Sequence, residues 1–213
     1  MKSHDEIMEE SRLAQEMADA HRSVSKDALT FRDGNQIDED AIQRFGDGWR
    51  DDLKKLTPEQ DLAVKDYSLG RTNDINGSLR GYVPETPEIA RTIKSLDEAV
   101  AMHPVPEDIM VVRGTDLGHL HLDDPKLLTG QTITEDGFMS TCPGDKVPAS
   151  FAGKEALMHL RVPAGTPGVW METVGRLEGS ESELLLGRGL NWRADKVVVD
   201  ANGKIHIYGE IVP

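Results

Sequence analysis

At 213 residues, with 38 acidic against 24 basic side chains and a net charge of −14, the chain can hold one generous core and is too acidic to wrap a polyphosphate backbone in bulk. A single cysteine, Cys142, excludes an intrachain disulfide and permits a reducing compartment. No apolar run approaches membrane-spanning length and the opening "MKSHDEIMEESRLAQEM" is too acidic for a signal peptide, so synthesis in a cytosol without a signal peptide is expected.

Residues 1–55 read as a helical accessory region, with apolar positions at Leu13, Met17, Val24 and Ala28 on weak amphipathic helices broken at "RDGNQ" and linker-like stretches around Gly34 and Gly46 to Gly48. Sharper helix starts follow. At "LTPEQ" Thr57 caps, Pro58 fits the first helical position and Gln60 completes a capping box. At "ETPEIARTIKSLDEAV" Thr86 and Pro87 repeat the signal, and Ile89, Ile93, Leu96 and Val100 form one apolar stripe. Beyond "VPED" the period becomes alternating. "DIMVVRG", "GQTITEDGFMSTC", "EALMHLRVP", "SELLLGRG", "WRADKVVVD" and "KIHIYGEIV" read as short strands, the last two flanking a hairpin signal at "ANG". Helices first and strands later imply an α+β domain with a largely antiparallel sheet or sandwich.

Three polar signals recur in one order along these strands: "VVRG", "FMSTC" and "ESE". In an extended segment Glu181 and Glu183 share a face while Leu184 and Leu186 fill the other. Taken alone, such a pair is a solvated strand end, Arg113 a structural ion pair, and Arg80 either a phosphate contact or a cap on a helix C-terminus. "GHLHLDD", with His119, His121, Asp123 and Asp124, reads as a solvated loop ahead of a metal site, because no matching Cys/His pair accompanies it. A Gly-x-Gly-x-x-Gly fingerprint is missing from the sequence, which removes a Rossmann dehydrogenase.

The ordered set, from about Leu56 to the C-terminus, resembles the mono-ADP-ribosyltransferases of the Arg, Ser-Thr-Ser, Glu-x-Glu class, which includes binary-toxin enzymatic components and phage-encoded transferases. "DINGSLRG" is similar to that family's Asn-bearing helix, with Asn76 and, nine residues earlier, Tyr67; Phe151 follows Ser140 by eleven residues and Glu181 by forty-one. The resemblance implies residues 56–213 as the catalytic domain: N-terminal helices packed on a two-sheet, mostly antiparallel β core with an NAD cleft. It implies NAD as substrate and no metal. It implies transfer of ADP-ribose to an arginine of a target protein, in a host or target-cell cytosol reached by a phage virion or toxin apparatus. NAD hydrolysis without a protein acceptor, or a catalytically silent virion component, are the alternatives. By resemblance Glu183 stabilises the ribosyl cation, Glu181 handles the acceptor and Ser140 fixes Glu183. Arg113, Gly114, Asn76, Arg80, Tyr67, Thr141, Phe151 and Lys154 are the NAD-contacting set, Thr141 also bracing its strand. The chain departs from the pattern at Cys142 for the second serine, Thr72 for a tyrosine and Lys154 for an arginine.

Overall fold

The structure, a computed structural model, describes residues 2–171 and 182–213. Helix α1 (His4–Val24) starts at a Ser3–Glu6 capping box and runs as one helix; the sequence pattern suggested several weaker pieces. A two-residue turn at Gly34 and Asn35 then joins the short strands β1 (Arg32–Asp33) and β2 (Gln36–Ile37), so the expected break at "RDGNQ" is a hairpin. Helices α2 (Glu39–Asp47), α3 (Arg50–Leu53), α4 (Pro58–Asp66), α5 (Thr72–Leu79) and α6 (Pro87–Ala101) follow. Thr57 and Thr86 cap α4 and α6 as their sequences demand, and the Ile89, Ile93, Leu96, Val100 stripe is buried. Between α4 and α5 the helical path kinks at Leu69 and Gly70, the latter at φ 105°.

The remaining elements are β3 (Ile109–Thr115), β4 (Thr132–Glu135), β5 (Met139–Pro143), the short helix α7 (Ala149–Ala152), β6 (Ala156–Val162), β7 (Gly168–Trp170), β8 (Leu184–Leu186), β9 (Leu190–Val199) and β10 (Ile205–Val212). Eight strands are hydrogen-bonded in the order β4-β9-β10-β6-β3-β5-β8-β7, antiparallel except for β6 with β10. The two expected sheets are joined through β5. Its Cys142 and Pro143 pair with β3, while Met139, Ser140 and Thr141 pair with β8.

One expectation needs correcting: "TITEDGFMSTC" is two strands, five places apart in the sheet order, with only residues 136–138 between them. Four residue steps reach at most ~14 Å. Five strand spacings in a flat sheet would need ~24 Å. The sheet therefore has to curl until its edge strand β4 comes near the start of β5, and that curl makes the hollow in which the site lies. Another expectation fails at β8, where Leu184, Leu185 and Leu186 are all fully buried; a strand between β5 and β7 is covered on both faces and does not alternate.

Residues 29–55 are continuous with this core. Phe31, Ile42, Phe45 and Trp49 belong to the same buried cluster as β3, β6, β8 and α6, with the Trp49 and Trp170 rings stacked at 6.3 Å. Trp49 Nε1 donates to the carbonyls of His103 (3.0 Å) and Gly168 (3.1 Å). Gly46, read as part of a linker, is pressed against the Trp170 indole, leaving no room for a β-carbon. Packing shows no break near residue 55. Helix α1 instead covers the outer face of β9 and β10 through a separate small cluster, in which Ala20, Val24, Leu13, Met17 and Ala28 meet Met110, Val198 and Tyr208.

Candidate active site

Two adjoining cavities open beside β5 and α5. The smaller, about 170 Å³, is lined by Tyr67, Ser68, Thr72, Ser140, Cys142, Phe151 and Glu183. The larger, about 500 Å³, shares Tyr67, Thr72, Ser140 and Phe151 and adds Asn76, Arg80, Tyr82, Arg113, Gly114, Asp116, His119 and Lys154 among its walls. Its size is that of small-molecule sites, ~300–1,000 Å³.

The shared wall is fixed by a short polar chain. Asn76 Nδ2 donates to the Phe138 carbonyl (3.1 Å) and to Tyr67 Oη (3.2 Å), and the Phe138 N–H donates to Asn76 Oδ1 (2.9 Å). Tyr67 Oη stands 3.5 Å from Ser140 Oγ. The Asn76 amide thus satisfies both backbone groups of the residue that leads into the Ser-Thr-Cys strand. Burial raises the Tyr67 pKa above its ordinary value, keeping the phenol neutral.

Arg113 leaves β3 as a buried cation. Its Nη1 donates to the Ser140 carbonyl at 3.1 Å, and its Nη2 lies 3.7 Å from Glu135 Oε2. Burial lowers its pKa, opposed by Glu135 and, further off, by Tyr67 and Glu183; it stays charged at any physiological pH. Among the described residues its Nε has no hydrogen-bond acceptor, although it is buried. An ionised, planar donor with an unused N–H on a cavity wall suits a phosphate or ribose oxygen. Next to it, Gly114 has no side chain because Phe151 occupies that space, its β-carbon only 2.6 Å from where one on Gly114 would lie. That close approach lays the Phe151 ring across both cavities.

Arg80 does not cap its helix with its side chain; Nε and Nη2 both reach Glu135 Oε1, at 3.0 and 2.7 Å. Lys154 pairs with Asp116 at 2.7 Å on the rim of the larger cavity. Thr141 lines neither cavity: it is fully buried and its hydroxyl donates to the Leu184 carbonyl at 2.7 Å, which braces β5 against β8. Glu183 lies at the head of β8, its carbonyl accepting from the Met171 N–H at 2.9 Å. Glu181 and the loop "TVGRLEG" lie outside the described residues. His119 lines the larger cavity, Asp124 caps a short turn through Lys126 N, and no group of three metal-ligating side chains converges among the described residues.

Sequence reasoning missed Glu135, which binds both arginines, and the cavity walls Ser68, Tyr82, Asp116 and His119. A signal for Glu135 was available: two arginines committed to one cleft require a buried counter-charge, and "TITE" ends its strand on a carboxylate.

Residues 42–209 match the model of the ADP-ribosyltransferase exoenzyme family, and the chain belongs to that family. It is similar to the NAD(+)--arginine ADP-ribosyltransferase EFV of Enterococcus faecalis, 29% identical over 197 residues, which are 88% of this chain and 38% of that protein. In fold it is similar to BECa, an ADP-ribosylating toxin of a binary enterotoxin of Clostridium perfringens solved with NADH, with TM-score 0.76 and 20% identity over 87% of this chain and 50% of that one. It is similar also to Plx2a, an ADP-ribosyltransferase toxin of Paenibacillus larvae, with TM-score 0.72, 20% identity, 87% of this chain and all of that one. The chain spans half or less of the length of the first two relatives.

Proposed function

We propose that the chain transfers ADP-ribose from NAD to an arginine side chain of a target protein and releases nicotinamide. The observation that carries this is the pairing of cavities: a small one walled by Glu183, Ser140, Tyr67 and Phe151 shares a wall with a larger one walled by Arg113 and Arg80. NAD has the same division, a flat nicotinamide on one ribose and an anionic diphosphate beyond it. The unused Arg113 Nε fits the anionic part, and the Phe151 ring fits the nicotinamide.

The bond from ribose to nicotinamide already has a cationic leaving group, so its electron pair departs onto the pyridinium nitrogen without a general acid. The developing ribosyl cation needs a negative charge beside it, and Glu183 supplies that charge. Tyr67 cannot, because burial keeps it neutral. The acceptor guanidinium attacks the ribose carbon and gives up one proton to a carboxylate, the role proposed for Glu181. The arginine acceptor is supported by the name of the E. faecalis relative and by a second acidic residue beside Glu183 in the sequence.

The test is incubation with labelled NAD and either a guanidino acceptor or a host-cell lysate, following free nicotinamide and label together. Label on arginine supports the proposal. Nicotinamide release without label would make the chain a hydrolase, and neither signal would make it a silent structural component.

A further inference from the structure

We infer that Glu135 is a positioning residue of the cleft, holding the guanidinium groups of Arg80 and Arg113 in the pose that receives the adenosine-diphosphate half of NAD. The inference rests on the reading of the cleft as an NAD site. Glu135 lines neither cavity itself, and its side chain is 7% exposed. One of its oxygens is filled from three directions: Arg80 Nε at 3.0 Å, Arg80 Nη2 at 2.7 Å and the Gly137 N–H at 3.0 Å. The other faces Arg113 Nη2 at 3.7 Å. Its backbone is equally fixed, since Glu135 pairs with Leu190 at the end of β4 and its carbonyl accepts from the Gly189 N–H at 2.8 Å.

This one carboxylate therefore joins the C-terminal end of α5, which Arg80 caps, to β3, which carries Arg113, and to the turn that enters the Ser140 strand. Gly137 completes the junction: a β-carbon there would fall 2.8 Å from the Asn76 amide and 3.3 Å from Arg80 Nη2, so the turn can close on α5 only over a glycine. Arg113 in turn donates to the Ser140 carbonyl, so the pose of the cationic wall and that of the smaller cavity share a link.

Two effects of removing the charge oppose each other. A neutral residue leaves two uncompensated guanidiniums, which attract an anion more strongly at a distance, but salt screens that attraction within ~8 Å at physiological ionic strength. The same change releases two forks whose value lies in direction, because a planar donor pair binds phosphate oxygens well only when it is aimed. Direction wins, and Glu135→Gln weakens diphosphate binding.

The experiment measures NAD, ADP-ribose and nicotinamide binding separately on the full chain for wild type, Glu135→Gln and Glu135→Asp, with thermal unfolding alongside. Glutamine can still accept from the Gly137 N–H, which preserves the turn. Expected are a loss of about tenfold in ADP-ribose and NAD affinity, nicotinamide affinity within about twofold, a KM that rises more than kcat falls, and partial recovery in Glu135→Asp. Unchanged or tighter ADP-ribose binding would overturn the inference, as would equal loss for nicotinamide, the mark of a purely structural residue. If Glu135→Gln does not fold, Arg80→Lys tests the contact from its other side, since an ammonium keeps the charge but cannot set two donors on one oxygen. Selective loss of ADP-ribose affinity supports the inference and none overturns it. Wild type that binds neither NAD nor ADP-ribose would overturn the NAD reading itself, a different result from wild type and variant binding alike.

Discussion

The sheet carries a shared carboxylate on each side, and the two make a useful contrast. On the cleft side Glu135 is held by Arg80 and faces Arg113. Beneath α1, Asp145 accepts from Arg32 Nε at 3.1 Å, contacts His21 Nε2 at 3.0 Å and lies 3.9 Å from His159 Nδ1; beyond it His159 meets His206 at 3.2 Å and stacks on Tyr208 at 4.7 Å between ring centres. Both clusters gather basic side chains around one partly or wholly buried acid. The first opens, through Arg80 and Arg113, onto a cavity large enough for a nucleotide. The chemistry of a polar cluster does not assign its role; what it opens onto does. Substitutions on the cleft side should therefore change kinetics at constant stability, and those beneath α1 should do the reverse.

The largest effect belongs to Glu183. Glutamine keeps the shape and loses the charge, so nicotinamide release should fall by ~10²–10³ while NAD binding stays within about threefold, measured by single-turnover release and by calorimetry. A comparable fall in the unfolding midpoint would place Glu183 with the structural cluster instead.

Asp145→Asn is the converse, expected to cost about 2 kcal/mol of stability in chemical denaturation and to leave NAD affinity unchanged. A fully buried pair broken on one side costs ~3–5 kcal/mol, and Asp145, with its side chain 19% exposed, should fall below that. Its pH dependence has a definite sign. Burial alone would raise the Asp145 pKa, but the His159 ring 3.9 Å away and hydrogen bonds with His21 and Arg32 outweigh it and hold the carboxyl well below the usual range. A depressed folded pKa contributes stability above the unfolded value, near ~3.9, that is lost as pH falls. The stability difference between wild type and Asp145→Asn should accordingly be full at pH 7 and shrink on acidification below about pH 4.

How much of this was legible in the sequence depends on the range of the interaction. Helix caps at Thr57 and Thr86 and the stripe of α6 are local, and they stand where the sequence puts them. The joining of two sheets through Ser140-Thr141-Cys142 is not local, since it depends on which strands flank β5. Nor was the role of Gly46 legible, because Trp170 lies over a hundred residues away in the chain. The family resemblance named Arg113, Ser140, Tyr67, Asn76 and Glu183, which the fold brings to one pair of cavities. It missed Glu135 because a counter-ion touches no substrate and can be supplied from any strand that reaches the arginines.

The smallest effects separate two cations on the same cavity. Arg113 is buried and tied to the Ser140 carbonyl, whereas Lys154 is 45% exposed and paired only with Asp116, itself 59% exposed. Arg113→Lys keeps the charge and loses the planar fork, and a point ammonium at that depth cannot both satisfy the carbonyl and face a phosphate. NAD affinity should fall about tenfold, or ~1.4 kcal/mol, at fixed salt. Lys154→Ala removes a whole charge, yet an exposed pair of this kind contributes at most ~1 kcal/mol and its charge is screened. Its NAD affinity should drop less than about threefold, and raising the salt should erase the difference. The ordering is the informative result, because net charge alone would predict the opposite: a conservative substitution at Arg113 should cost more than deletion at Lys154. If Lys154→Ala proves the more damaging, the diphosphate lies at the rim beside Asp116 and not against the wall that Glu135 holds.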